Sequence, residues 1–230
     1  MLFRNWKTDN GVHSVDFYGR MRYHYSVMRI NRYLAECGVD SRRKCERYVI
    51  DGRVTVNGRT VTDLAAQISP RDSVAVDGKK VTPVAKHVYL IMNKPKGCVT
   101  TVSDDRGRKT VLDIVRGDYP DTRLFPVGRL DYDTEGLLIL TTDGDLCNRL
   151  THPSSEIEKV YSAKVEGEVS ESELAAIRRG VEIDGKKTKK CRAVLVGYDR
   201  KTNHSSVEVA ITEGMNREVR KMFEAVGRHV

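Results

Sequence analysis

No stretch of this chain approaches the roughly 20 apolar residues that a membrane-crossing helix needs, and the first residues lack the apolar core of a signal peptide. No membrane partner is expected. Cysteine is sparse and scattered: Cys37, Cys45, Cys98, Cys147 and Cys191 stand alone, with no C-x-x-C pair and no histidine at ligand spacing. That pattern argues against a disulfide framework and structural zinc, and fits a reducing cytoplasm. Nothing in the residues offers a metal or redox group a site, so no cofactor is expected. What the chain has in quantity is charge. Hydrophobic residues at 39% and charged residues at 31% describe a soluble globular protein, and 230 residues suffice for two modest domains. The formal net charge of +8 favours an anionic partner, of which nucleic acid is the commonest.

Residues 1–27 carry Phe3, Trp6 and Phe17 without periodicity, and are expected to be an extension outside the fold, either a flexible arm or an upstream start ahead of Met28. From Met28 the pattern is regular. Ile30, Tyr33, Leu34 and Cys37 recur at helical spacing up to Gly38. Ser41 is placed to cap a second helix with Cys45, Tyr48 and Val49 inward and Gly52 beyond its end. Val54 to Val61 reads as a hairpin about Asn57-Gly58, the dipeptide of a type I′ turn, and Asp77-Gly78 marks another. Between Arg29 and Lys80 there are 11 Lys or Arg against 7 Asp or Glu. Such a run is ordinarily a solvated helix face. Here, however, Arg42, Arg43 and Lys44 occupy a first helical turn, where the helix dipole disfavours cations.

Pro83 breaks the pattern, so residues 83–87 are expected to link residues 28–82 to a second domain, 88–230. Val88 to Met92 reads as a strand leading to Asn93-Lys94-Pro95-Lys96-Gly97, whose lysines are either solvated turn residues or phosphate contacts. Val111 to Val115 reads as a short helix after a polar loop. Leu137 to Leu140 is an apolar run read as a strand buried on both faces, preceded by Arg129, Asp131, Asp133 and Glu135. Carboxylates in a loop entering a rigid strand either cap a turn or hold an acid at a fixed point of a cleft. His152, before Pro153, is expected to be structural. Lys159 to Val165 and Ser206 to Ile211 alternate as strands, Ser170 with Glu173 forms a capping box, and Lys186 to Lys190 reads as a basic loop. The last helix has Asn216 as expected N-cap and Gly227 as terminator, with Val219, Met222, Phe223 and Val226 on one face.

Gly128-Arg129-Leu130-Asp131-Tyr132-Asp133-Thr134-Glu135-Gly136-Leu137-Leu138 resembles the central motif of the RsuA/RluB-type pseudouridine synthases, which carries their essential aspartate. Ser41-Arg42-Arg43 and Gly52-Arg53-Val54-Thr55-Val56-Asn57-Gly58 resemble the S4 RNA-binding domain. Glu213-Gly214-Met215-Asn216-Arg217-Glu218-Val219-Arg220-Lys221-Met222 resembles the family's third motif, and the Lys94 turn its first. The resemblance spans Met28 to Val230. It implies an α+β protein: a small S4 domain, then a catalytic domain built on a mixed, largely antiparallel sheet. Relatives usually continue past the last helix, so the chain is expected to lack their C-terminal segment.

The implied reaction is conversion of a uridine in ribosomal RNA to pseudouridine. The Gly107-Arg108-Lys109-Thr110-Val111 stretch looks closer to the large-subunit branch, so the implied partner is large-subunit rRNA or a pre-ribosomal particle, met by a monomer. By resemblance Asp131 is the essential carboxylate, acting as nucleophile or as base, Arg220 the cation that keeps it charged, and Tyr161 the ring that packs on the target base. Arg129 is the candidate to fill the space left by the extruded base. Lys94, Ser41, Arg42, Arg43, Lys44, Arg47, Arg53 and Asn57 are the implied RNA contacts. Two other readings stay open on residue types: a non-enzymatic S4-type protein binding rRNA during ribosome assembly, and a glycosidic hydrolase using Asp131 with Glu135.

Overall fold

The computed structural model describes residues 12–14, 27–84 and 86–230, and divides the chain into two compact units, 1–147 and 148–230. Within the leader, β1 (Val12–Ser14) pairs antiparallel with residues 90–92. These three residues therefore join a sheet, where the sequence expects a segment outside the fold. Three residues are too few for alternation to announce a strand. The leader's aromatic residues lie outside the described residues.

In the first unit β2 (Met28–Arg29) runs into α1 (Ile30–Glu36), followed by α2 (Arg42–Ile50), β3 (Val54–Val56), β4 (Arg59–Thr60), β5 (Gln67–Ile68), β6 (Val74–Val76) and β7 (Lys79–Val81). Antiparallel ladders order these as β4-β3-β6-β7, with β2 on β5. The helical periodicity becomes packing: Ile30, Leu34, Cys45, Val49, Val54 and Val74 are all fully buried in one core. Each such side chain contributes roughly 1.5–3 kcal/mol relative to exposure. The Ser41 hydroxyl accepts from the Lys44 amide at 3.3 Å, making the expected cap. Asn57 and Gly58 both have positive φ, 51° and 79°, the left-handed pair that a type I′ turn needs.

A second core in the same unit is built by β8 (Tyr89–Lys94), α3 (Val111–Val115), β9 (Phe125–Val127) and β10 (Gly136–Thr141), with strand order β1-β8-β10-β9. Leu90, Met92, Leu138 and Leu140 face Val111 and Val115. Thr110 and Asp113 form a capping box for α3. The expectation that β10 is buried on both faces fails: Leu138 and Leu140 are 3% and 0% exposed, but Leu137 is 71% exposed. A continuous apolar run does not reveal whether its second face is covered.

The boundary between the units falls within α4 (Gly144–Thr151). The second unit continues through β11 (Lys159–Glu166), α5 (Glu171–Arg179), β12 (Glu182–Ile183), β13 (Lys186–Lys187), β14 (Arg192–Asp199), β15 (His204–Ile211) and α6 (Glu218–Glu224). The sheet β11-β15-β14 is antiparallel and packs Ala163, Val165, Val207 and Val209 against Leu174, Ile177, Met222 and Phe223 of α5 and α6. Lys186 and Lys187, read as loop, pair in a short hairpin through Asp184-Gly185, both at positive φ. Asn216 is not the cap of α6; Arg217 is, in the left-handed region at φ 53°. Every ladder among the described residues is antiparallel, and parallel pairing is confined to the isolated bridges Val99 to Thr110 and Gly167 to His204.

Candidate active site

Asp131 lies in the loop between β9 and β10, half-buried, with Arg129, Asp133 and Glu135 exposed around it. The loop is held by its backbone. The Thr100 hydroxyl donates to the Leu130 carbonyl at 2.8 Å, the Gly97 amide to the Tyr132 carbonyl at 2.8 Å, and the Thr134 amide closes a turn on the Asp131 carbonyl at 3.1 Å. Lys94 completes the set. Its ammonium donates to the carbonyls of Asp131 at 2.9 Å, Thr134 at 2.8 Å and Pro95 at 3.0 Å.

Lys94 is therefore neither a solvated turn lysine nor a phosphate contact, the two readings the sequence allows. It is 0% exposed and all three of its protons are engaged inside the protein. Burial pushes its pKa below the usual lysine value, while the nearby Cys98, Asp131 and Asp133 oppose the shift. The sign of this placement was available: Leu90, Met92 and Lys94 share one strand parity, and that face is buried. Thr100 and Gly97 were missed because their contacts reach across 30 and 35 residues.

Beside the loop, the 104–108 turn is clamped by Asp104, whose carboxylate accepts from the amides of Arg106 and Arg108 and from the Arg108 guanidinium at 2.7 Å. These donors hold the Asp104 carboxyl down at about 2.

Tyr161 and Arg220 belong to the other unit. Tyr161 is a half-buried residue of β11, packed against the core with Ala163 and Val165. Arg220, on α6, donates to the Val230 carbonyl at 3.2 Å. In the same helix Glu218 is 4% exposed, its Oε2 accepting from the Met215 amide at 2.8 Å, while Oε1 accepts no hydrogen bond from any described donor. Burial pushes its carboxyl up to about 7. His152 caps a single 3₁₀ turn by accepting from the Ser154 amide, the structural part expected of it.

Residues 88–225 match the RNA pseudouridylate synthase family and residues 28–74 the S4 domain. The chain belongs to the RNA pseudouridine synthases. It is 43% identical over 202 residues to the ribosomal large subunit pseudouridine synthase B of Bacillus subtilis (strain 168), covering 88% of this chain and 82% of that one. It is 36% identical over 207 residues to the dual-specificity RNA pseudouridine synthase RluF of Escherichia coli (strain K12), covering 89% and 68%. A solved pseudouridylate synthase matches with a TM-score of 0.59 and 30% identity over 88% of this chain and 85% of the other.

In this pseudouridine synthase the S4 residues are unequally free. Arg42, Arg43 and Arg47 lie exposed on α2, with no ion pair to any described residue. Lys44 reaches Asp40 at 3.6 Å. Arg53 stacks over Tyr48 at 4.2 Å and pairs with Asp77 at 2.5 and 2.9 Å. Asn57 is held by Asp72 and by the Ser73 amide, and Ser41 by its cap. Of the implied RNA contacts, then, three arginines present unshared charge, while Arg53, Asn57 and Ser41 also carry structural bonds.

Proposed function

We propose that this synthase converts one uridine of large-subunit ribosomal RNA to pseudouridine, with Asp131 as the essential carboxylate. The reaction breaks the bond from C1′ to N1 of the base and makes one from C1′ to C5. N1 gains a proton and C5 loses one, so no net oxidation occurs. A carboxylate fixed at C1′ serves either as nucleophile or as the base for a ribose proton. The observation that carries the assignment is the pinning of the loop at four backbone carbonyls, those of Leu130, Asp131, Tyr132 and Thr134, within which Asp131 is half-buried while Asp133 and Glu135 are exposed side chains. Pre-set geometry of this kind lowers the cost of reaching the transition state.

Tyr161 is assigned to pack on the target base, Arg220 to supply the cation, and Arg129 to occupy the stack vacated by the base. The exposed arginines of α2 supply RNA phosphate contacts, which makes binding salt-sensitive. The large-subunit assignment rests on the name of the Bacillus subtilis relative. The test is pseudouridine mapping of small- and large-subunit rRNA transcripts treated with the chain and with Asp131→Asn. One large-subunit uridine modified by the parent and untouched by the variant, at equal RNA affinity, is the expected result. Modification that persists in Asp131→Asn would overturn the assignment of that residue.

A further inference from the structure

In the surface of the first unit lies an open cavity of about 290 Å³ that none of the assigned contacts uses. Its floor is apolar, made by Met28, Tyr33 and Ile68, which are 9%, 8% and 2% exposed. Its rim carries Arg71 and Lys80, both exposed, whose side chains make no hydrogen bond or ion pair with any described residue. The one acid in the lining, Asp72, is already committed. It accepts from the Ser69 amide at 2.7 Å and the Asn57 side chain at 2.8 Å, and these donors hold its pKa below the usual carboxylate value. The net charge offered to a ligand is thus positive.

We infer that this cavity receives one unstacked nucleotide of the RNA, its base on the Met28, Tyr33 and Ile68 floor and its phosphate between Arg71 and Lys80. The volume is at about the lower end of the roughly 300–1,000 Å³ found for small-molecule clefts, enough for one nucleotide and too small for a helix. Single-stranded nucleic acid is held without base-specific hydrogen bonds by an aromatic ring for the base together with cations for the backbone, and here Tyr33 is the ring and Arg71 and Lys80 the cations. The cavity wall is tied to the β3–β4 turn, since Asn57 at the turn is bonded to both Asp72 and Ser73. The inference rests on the RNA-binding part of the proposed function and is independent of the chemistry at Asp131.

The test uses the full chain. Uridine monophosphate and inorganic phosphate are titrated separately, with the methyl groups of Met28 and Ile68 followed by NMR. The nucleotide is expected to move both methyls and phosphate to move neither. Equal effects from the two would reduce the rim to an anion site, and no effect from the nucleotide would leave the cavity without this ligand; either overturns the inference. In parallel, rRNA-fragment affinity is measured for Thr82→Trp, which fills the cavity mouth without altering charge, for R71Q/K80Q, and for R200Q/K201Q as a charge-matched control on the β14–β15 turn. A loss of about tenfold in the first two, against less than twofold in the control, is expected. Thr82→Trp binding RNA like the parent would count against the site. If the chain modifies no RNA yet these shifts appear, the catalytic reading fails and the cavity stands. If it modifies RNA and they do not, only the cavity falls.

Discussion

The ammonium of Lys94 donates to the main-chain carbonyl of Asp131 across 2.9 Å, so a buried cation on β8 holds the backbone of the loop that carries the proposed catalytic acid. Lys94→Met keeps the length of the side chain and removes the three bonds. The expected cost is on the order of 3 kcal/mol of stability, because three carbonyls lose a charged donor. Turnover is expected to fall at least tenfold with KM for RNA and the salt dependence of binding unchanged. A phosphate contact would do the reverse, raising KM and flattening the salt slope by about one ion. Steady-state kinetics at two salt concentrations separates the outcomes.

Glu218 gives unit 2 a pH dependence of definite sign. Burial is the main cause of its raised carboxyl, Glu213 raises it further, and the Met215 amide and Lys159 pull it back. The folded state holds a proton up to about 7 that the unfolded chain releases near the ordinary glutamate value of about 4.3. Stability from this group is therefore full at low pH, falls as pH rises through that window, and is gone above about 7. Glu218→Gln, which mimics the protonated form, should remove the slope. Above pH 7 it should exceed the parent by roughly 1–3 kcal/mol. Urea unfolding at pH 5 and pH 8 reads this directly, and an unchanged slope in the variant would clear Glu218 of the effect.

Adjacent leucines of β10 should behave as opposites. Leu138→Ala opens a cavity between the sheet and α3 and is expected to cost about 2–4 kcal/mol. Leu137→Ala, at a side chain 71% exposed, should change stability by less than about 0.5 kcal/mol. Chemical denaturation of the two variants compares them on one strand.

Gly180 closes α5 at φ +90°, where an added Cβ would stand 2.3 Å from the Thr188 carbonyl oxygen. Gly180→Ala combines left-handed strain with a backbone clash and should cost more than about 2 kcal/mol. Gly58→Ala, also at positive φ but facing open space, carries only the strain of about 1–2 kcal/mol. Equal melting temperatures for the two variants would mean that the Thr188 carbonyl yields freely.

Much of the local structure was legible because it is written in neighbouring residues. Ser41 with Lys44, Ser170 with Glu173, and Asn57 with Gly58 each satisfy a backbone requirement within four residues, so their chemistry announces caps and turns. The Asp131 motif was legible for a different reason: an ordered run of residues marks a family more specifically than any spacing of acids. Less visible was what crosses the chain. Asn216 resembles a good N-cap, yet the helix starts two residues later, where the Met215 amide meets the Glu218 carboxylate. The edge strand Val12–Ser14 exists through its pairing with β8, not through its own three residues.

The sequence by itself determined the α+β class, the two family segments and the identity of the candidate acid, since periodicity, turn chemistry and motif order are properties of contiguous residues. Tertiary structure decided which way those residues face. It took Lys94 from solvent to the underside of the Asp131 loop, left Leu137 exposed beside buried Leu138, and enclosed the Glu218 carboxyl. Burial and hydrogen-bond partners come from segments distant in the chain, and no local pattern specifies which distant segment will be there.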